Sequence, residues 1–572
     1  VENLTTREAA SRRLASLKLE RSSWMSHWKE IGEVLLPRTG RFFATDENRG
    51  SRKNDILDDT ATGALGTLGA GMQYGQTSPA RPWVRIETSD PDLMEHADVS
   101  LWCDQVTRLI LMVFARSNTY NTLHSMYEEL GAYGVAASIV LPDYENIIHH
   151  TPLTIGEYTL GTNSKNQVDS LGRELQMTVA QIVEKYVAGG TALKERSGSW
   201  DWSRVSSQIK NAWDRHEVDS WIRVQQLIEP RKFRDPEKRD NKNMAWRNVV
   251  IEEGANADLV MHEGGFRRFP VIAPRWHVSG NDVYGSTWPG ARALGGIKQL
   301  QFEHMRKAQA IDFQTNPPLM VPSHLKNQES DFLPGGVTYF DPGGAGLGKV
   351  ESAFKVDLNL QHLLLDINDV RQMVNAAFYA DVFLMMDRLQ GIQPRNQREV
   401  EERHEEKLLM LGPVVERQQN ECLGPLIDIA FDALSEAGAL PPVPESIEGM
   451  DLEFKYTSVL AQAQRRASMA GVDRIVGAVA SIAAAKQDPS VWDKVDTDVI
   501  IDKAAGYEGV DAEIIRGKED TQRIREARAQ AQQAQQQMAE AQQAAETAKT
   551  LAAAPMTTDN ALTNVVKGFA NQ

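Results

Sequence analysis

Cysteine is nearly absent: Cys103 and Cys422 are the only two in 572 residues. That excludes a disulfide framework, which a chain of this length does not need, and it reads as two buried, reduced thiols. No apolar run is long enough to cross a bilayer. The longest, "IVGAVASIAAA" (475–485), falls well short of the ~20 residues required. The first residues, "VENLTTREAASRR", are polar and helical rather than a signal peptide, so a reducing cytoplasm is expected. Positive charge is in short supply, with 62 Lys and Arg against 78 Asp and Glu and a net charge of -16. A protein that holds DNA by its phosphates is usually basic, so this chain as a whole does not attract DNA. Metal and cofactor motifs are missing too. There is no H-E-x-x-H or C-x-x-C, no Ser/His/Asp set stands out, and His149 and His150 are strand-like neighbours that point to opposite faces. Acidic pairs such as Asp58-Asp59 and Glu401-Glu402 read as solvated helix faces. The expectation is a structural protein that is not an enzyme and uses no cofactor or metal.

What is present is an ordinary folding composition, 41% hydrophobic and 24% charged, with length for three or four compact units at ~150 residues each. Thr5-x-x-Glu8 is a capping box that opens a helix carrying Leu14, Leu17, Trp24, Trp28, Ile31 and Leu35, stopped by Pro37 and Gly40. A second helix starts near Asp55. A strand over 83–87, a helix over 91–117, an apolar run at 134–141 and a helix over 177–187 follow. The β-rich stretch 219–280 completes a first half of helices wrapped on mostly antiparallel strands. Beyond Pro289 the pattern changes. Helices are expected at 291–313 and 359–379, separated by a Gly/Pro-rich insert with short strands at 319–322 and 337–341. A polar loop, a long helix over 397–440 bent at Gly412-Pro413, a short strand at 452–457 and an Ala-rich helical region over 459–505 come next.

Two glycine-rich stretches invite a nucleotide. Gly69-x-Gly71-x-x-x-Gly75 is one residue away from the dinucleotide fingerprint. That fingerprint must follow a strand and open a helix, so that free N–H groups meet phosphate. Here the glycines lie deep in a helical pattern whose N–H groups are already bonded four residues back. The five glycines from Gly63 to Gly75 therefore read as a face for close helix packing. The second, Gly343-Gly-Ala-Gly-Leu-Gly348-Lys349-Val350, nearly matches the phosphate loop but ends in valine, which offers no hydroxyl to a magnesium ion. A flexible glycine loop is the simpler reading; a nucleotide-binding enzyme through Gly343–Lys349 stays as an alternative.

The C-terminal region repeats Ile524, Ala527, Ala531, Ala534, Met538, Ala541, Ala545 and Ala548 at alternating spacings of three and four. This is a heptad stripe made almost wholly of alanine. Alanine buries too little area to drive pairing of lone copies. Two readings stay open: a solvated Gln-rich tail, or a helix that packs side by side in a ring of many copies.

Several stretches, taken in order, resemble the portal proteins (head-to-tail connectors) of short-tailed double-stranded DNA bacteriophages. They are "TLGAGMQYGQTSPARPWVRI" (67–86), "LQMTVAQIV" (175–183), "GGFRRFPVIAPRWHVSGNDVYGSTWPGARALGGIKQL" (264–300), "NPPLMVP" (316–322), "LGPVVERQQNECLGPLI" (411–427) and "YTSVLAQAQRR" (456–466). The resemblance implies an α+β portal fold assembled as a ring of about twelve copies around a DNA channel. In it, 1–290 corresponds to the wing, 291–313 and 359–379 to paired stem helices, and 314–358 to the clip. The tunnel loop corresponds to 380–396, the long wing helix and return strand to 397–458, and the crown to 459–515. Residues 516–552 correspond to a C-terminal helical barrel and 553–572 to a flexible tail. Channel candidates are Asp387, Arg388, Gln390, Arg395 and Gln397, which either touch passing DNA or are solvated loop charges. Clip candidates are Pro317, Pro318, Tyr339 and Lys349. The implied partners are double-stranded DNA, the terminase large subunit, a tail adaptor protein, and scaffold, capsid and internal virion proteins, with no membrane. The place is the capsid vertex of the virion, after assembly in the host cytoplasm. A different virion protein, such as a tail adaptor or tube, is the other structural reading.

Overall fold

The computed structural model describes residues 5–42, 56–90, 93–94, 96–188, 200–235, 237–238, 240–255, 258–322, 333, 336–340, 351–352, 360–388, 411–457, 475–482, 495–501 and 518–552. The chain divides into two compact units. The larger is Val1–Ile86, Cys103–Pro442 and Glu453–Asp493; the smaller is Glu87–Trp102, Val443–Leu452 and Lys494–Gln572.

In the larger unit, α1 (Thr6–Leu35) begins with the expected capping box: the Glu8 amide donates to Thr5 Oγ1 at 3.3 Å and the Thr5 amide to Glu8 Oε2 at 3.2 Å. Its apolar face covers one side of a five-stranded antiparallel meander, β4 (Tyr158–Thr162), β5 (Val168–Thr178), β6 (Trp221–Pro230), β7 (Trp246–Glu252) and β8 (His262–Phe266). Ala10, Leu14 and Leu17 pack with Leu227, Val249 and Ile251. The opposite side is covered by α5 (Val179–Ile182), its π-helical continuation Val183–Val187 and α6 (Ser207–Asp214), where Val183 and Ile209 join Ile222, Val224 and Val250. Consecutive residues of β7 thus feed two different cores, as the two-residue side-chain period of a strand requires. The helix expected over 177–187 starts later. β5 runs on to Thr178, because Met177 and Thr178 pair with Ile222 and Trp221, and Thr178 then caps α5 together with Gln181.

A second layer holds α2 (Thr60–Gln76), α4 (Thr119–Tyr133) and a small sheet of β2 (Ala137–Asp143), β3 (Ile147–Leu153) and β9 (Val271–Ile272) in the order β3-β2-β9. β1 (Val84–Thr88) pairs with β13 (Leu452–Tyr456), and α3 (Ala97–Arg116) lies between β1 and α4 in the chain. His149 and His150 do separate to opposite faces of β3: His149 is exposed, whereas the fully buried His150 ring lies 3.0 Å from Thr119 Oγ1 and 3.4 Å from Ser138 Oγ. Both cysteines are buried, and neither is in a disulfide.

A third group consists of α7 (Pro289–Thr315), α8 (Leu360–Ala377) and α9 (Ala380–Arg388). Beyond α7 lies a three-stranded sheet, in which β10 (Leu319–Pro322) pairs in parallel with β11 (Val337–Phe340) and antiparallel with β12 (Glu351–Ser352). The region expected to bend at Gly412-Pro413 is different in detail. α10 (Gly412–Gln418) starts there, and the irregularity is a π-turn, Gln419–Leu423, leading into α11 (Gly424–Glu436). Pro425 has no N–H and its ring would press on the carbonyl four residues back, and the wider π-turn makes room for it.

The strands and the π-turn meet at Arg275, which is 1% exposed. Its guanidinium donates to Glu421 Oε1 at 2.7 Å and to the Asn166 carbonyl at 2.7 Å, and its amide donates to Glu421 Oε2 at 3.0 Å. Arg417 adds a second cation to Glu421 at 2.9 Å.

The smaller unit contains α12 (Lys518–Ala552), a 35-residue helix about 50 Å long at 1.5 Å per residue. Arg525 on it forks onto Asp498, with Nη2 donating to Oδ1 at 2.7 Å. No helix among the described residues is long and apolar enough to cross a membrane.

Two outcomes are expected. Glu421→Gln strands the buried Arg275 cation and lowers chain stability by about 3–5 kcal/mol, read as an earlier denaturant midpoint at unchanged slope. His150 is pushed down to about 4 by burial, with His149 adding to the effect. The unfolded chain therefore takes up a proton first as pH falls. This contribution is complete above about pH 6.5 and declines by about 3 kcal/mol towards pH 4. A stability–pH profile of His150→Gln is expected to be flatter in that window.

Candidate functional site: the helix pair and the elements that hold it

α7 is framed by sequence signals at both ends. Pro289 sits in its first turn, where a missing N–H costs nothing, and Pro317-Pro318 prevent its continuation. Ala293, Leu294, Ile297 and Leu300 form its buried stripe, and Ile367, Val370 and Val374 form that of α8. The two helices run antiparallel, because residue 292 of α7 meets 379 just past α8, 296 meets 370 and 374, and 299 meets 366.

A polar seam closes this pair. Asp58, 4% exposed, accepts Arg371 Nη2 at 2.6 Å and lies 3.2 Å from His304 Nε2. Burial works against its charge, but bonds from Thr60 and Arg371 outweigh that and hold the carboxyl below its usual range. Gln301 on α7 caps the same corner, its Oε1 accepting the Leu57 amide at 2.6 Å and its Nε2 donating to the Asp58 carbonyl at 2.8 Å. The reading of Asp58-Asp59 as a solvated helix face is therefore wrong for Asp58, which precedes α2 and is buried between α7 and α8. The companion pair Glu401-Glu402 lies outside the described residues. Farther along, Gln299 Nε2 bridges Glu303 Oε1 at 2.6 Å and Asp366 Oδ2 at 3.2 Å. Burial, together with the nearby Asp366 carboxyl, pushes Glu303 upward against the bond from Gln299. A lone arginine at 371 inside the apolar stripe of α8 was the signal that could have exposed this seam.

The stretch 380–396, expected as a loop, begins as helix α9. Val382 and Phe383 are buried, and Asp381 sits favourably in the first turn. The reversal between α8 and α9 falls on Tyr379, which has φ 56°. A non-glycine residue in the left-handed region is disfavoured by ~1 kcal/mol or more. Here it is held by stacking on Trp276, ring centroids 6.2 Å apart, and by Arg292 Nη1 at 3.5 Å from its hydroxyl. Asp387 and Arg388 are the last two residues of α9; Gln390, Arg395 and Gln397 lie outside the described residues. Pro317 and a buried Pro318 lead into β10, and Tyr339 pairs with Val321 across β11 and β10. Lys349 and the rest of the loop Gly343–Lys349 lie outside the described residues. On α12, Ile524 is half-buried, while Ala527, Ala531, Ala534, Met538, Ala541 and Ala545 are exposed; Ala548 is in the same helix.

Of the five glycines read as a packing face, Gly69 and Gly71 make one, whereas a Cβ on Gly63 or Gly66 would meet nothing within 4 Å, so the reading is wrong for those two. A Cβ on Gly69 would stand 2.7 Å from Glu128 of α4, and one on Gly71 would stand 2.2 Å from the Phe383 ring of α9. Gly131 of α4 returns the contact against Leu65 and Leu68. The backbone N–H groups of α2 are bonded within the helix, which leaves no open phosphate cradle at this position.

The 264–300 stretch is likewise architectural. Trp288 Nε1 donates to the Ala132 carbonyl at 2.8 Å, the Tyr284 hydroxyl accepts the Leu160 amide at 2.9 Å, and Tyr284 lies edge-on to Trp28. Lys298 pairs with Glu30 and so ties α7 to α1.

The chain is thus an α+β protein whose antiparallel helix pair leads into a small three-stranded sheet. The chain belongs to the bacteriophage head to tail connecting protein family, whose model matches residues 7–515. It is 47% identical over 567 residues to a probable portal protein of Bordetella phage BPP-1, covering 99% of each chain. It is 40% identical over 564 residues to the portal protein of Salmonella phage epsilon15, covering 98% of each.

Gly71→Ala is expected to cost about 1–3 kcal/mol through overpacking against Phe383. Adding Phe383→Leu restores part of that loss, and thermal unfolding of the single and double variants checks the coupling.

Proposed function

We propose that this chain is the subunit of a portal ring. About twelve copies close around a channel at one capsid vertex, and double-stranded DNA passes through it during packaging and ejection. The observation that carries this is the outer surface of the helix pair. Phe302, Met305 and Ile311 of α7 and Leu364, Leu365 and Met373 of α8 are all exposed, with Leu365 at 62% and Met373 at 67%. Each such side chain gains about 1.5–3 kcal/mol on full burial. A helix pair that carries exposed apolar side chains in addition to its buried stripe has faces that one subunit cannot bury, and head-to-tail contacts in a closed ring bury them. Relatives described as portal proteins along nearly the whole chain support the same reading.

In this reading residues 1–290 are the wing, α7 and α8 are the stem, the β10–β12 sheet belongs to the clip, and residues 459–515 are the crown. The 380–396 segment with Asp387 and Arg388 borders the channel. The alanine stripe of α12 packs copy against copy in a barrel. The clip receives the terminase large subunit during packaging and the tail adaptor protein afterwards. Scaffold, capsid and internal virion proteins meet the rest, in the host cytoplasm during assembly and at the portal vertex in the virion. The ring is a conduit with no chemistry of its own. A net charge of -16 per subunit suits a wall that passes DNA without holding it.

Electron microscopy of the purified chain, with its mass in solution, is expected to give rings of about twelve copies with an open centre and no ATP hydrolysis by the ring alone. Leu365→Glu with Met373→Glu is expected to leave the chain folded by circular dichroism and to abolish the rings. A stable wild-type monomer at high concentration would refute the proposal.

A further inference from the structure

We infer that the tip of the β6–β7 hairpin is a second nucleic-acid contact, separate from the conduit, which holds phosphates electrostatically and lays one aromatic ring against the sugar–base surface. The connecting residues, 231–245, read "RKFRDPEKRDNKNMA" and carry six basic and three acidic side chains in a chain whose net charge is -16. Two of the three acids are used within the hairpin, and the exposed Glu237 carboxylate is left as one negative charge beside the cations. Asp235 accepts the Glu237 amide at 3.2 Å and faces the Lys238 ammonium at 3.2 Å, while Asp240 accepts the Asn243 side chain. Arg231 is also engaged, lying 3.6 Å from Glu263 and donating to the Gly264 carbonyl at 3.1 Å. The Asp235 amide donates to Asn243 Oδ1 at 3.0 Å, and the Arg231 amide to the Ala245 carbonyl at 2.8 Å, so the two sides of the tip are held together.

What this leaves facing water is Lys232, Arg234 and Lys242, none with an ion-pair partner among the described residues, and Phe233 at 91% exposure. Only Tyr144 is a more exposed aromatic among the described residues, and Phe233, unlike a lone exposed ring, stands amid a cluster of cations. The exposed residues around it, Lys232, Arg234, Glu237, Lys238, Asp240, Asn241 and Lys242, are all polar. The apolar area on offer is one ring, far less than the core of a protein–protein interface of about 800 Å² per partner. One ring among unpaired cations instead matches the way nucleic acid is held, with phosphates giving the affinity and a planar side chain packing on a base or sugar. The cations supply charge that the chain as a whole lacks. The portal reading bears on this inference only in placing a genome near the protein.

The test uses assembled full-length protein and covalently closed circular duplex DNA, which cannot thread a closed ring and so reports only on the outer surface. Mobility shift across 50–200 mM salt is expected to show binding. Lys232→Gln, Arg234→Gln and Lys242→Gln together are expected to lower affinity at least tenfold and to reduce the salt slope by about 3. Phe233→Ala is expected to lower affinity about fivefold or more with the slope unchanged. Wild-type assemblies that ignore the circles, or a triple variant that binds them equally well, overturn the inference. So does a triple variant that binds circles normally but no longer binds the capsid protein, which would make the tip a protein contact. Micrographs of the same samples separate the two readings: absent rings refute the portal, whereas intact rings without circle binding refute only the hairpin contact.

Discussion

One buried guanidinium joins parts of the chain that are far apart in sequence. Arg275 reaches the β4–β5 turn at Asn166, the carbonyls of Asp282 and Val283, and the carboxylate of Glu421 in the π-turn. Burying such a charge is tolerable only because its donors find acceptors and Glu421 faces it with two oxygens. The β4–β5 turn, the long connection into α7, and the α10–α11 segment are thereby fixed to one point. Where α7 leaves the body, and hence where the helix pair stands, follows from that point.

The arginine also explains why the most recognisable stretch of the sequence has little to do with a channel. Between residues 264 and 300, Arg275, Tyr284 and Trp288 each end on a backbone group of another element. Trp276 supports the reversal at Tyr379. The residues that make the family resemblance visible are those that hold the junction between the sheet body and the helix pair, where a misplaced carbonyl would leave a buried polar group without a partner.

Legibility in the sequence followed the range of the interaction. The capping box at Thr5–Glu8, the proline-framed ends of α7, strands β10 and β11, and the separation of His149 from His150 are set by residues within a few positions of each other, and the pattern shows them; the glycines of α2 show as a helix face, but which of them pack, Gly69 and Gly71, is decided by Glu128 and Phe383 far along the chain. The start of α5 was misplaced because pairing of Met177 and Thr178 with β6 prevails over a local helical pattern. α9 was taken for a loop because its polar end hides the buried pair Val382 and Phe383. The seam around Asp58 is hard to read because its partners, His304 and Arg371, lie hundreds of residues away; the arginine at 371 in α8 marks one side of the pairing but does not name the other. Of the candidate site, the elements were legible, whereas the side-chain contacts that lock them together were not.

The glycine face of α2 has a mechanical consequence. Side chains yield by changing rotamer, but the contact of Phe383 on Gly71 is ring against bare backbone, and Gly69 meets Glu128 nearly as closely. A joint of this kind has almost no compliance. A displacement at the far end of α9, where Asp387 and Arg388 lie, is not damped at the first contact but passed to α2 as a whole, and from α2 to α4.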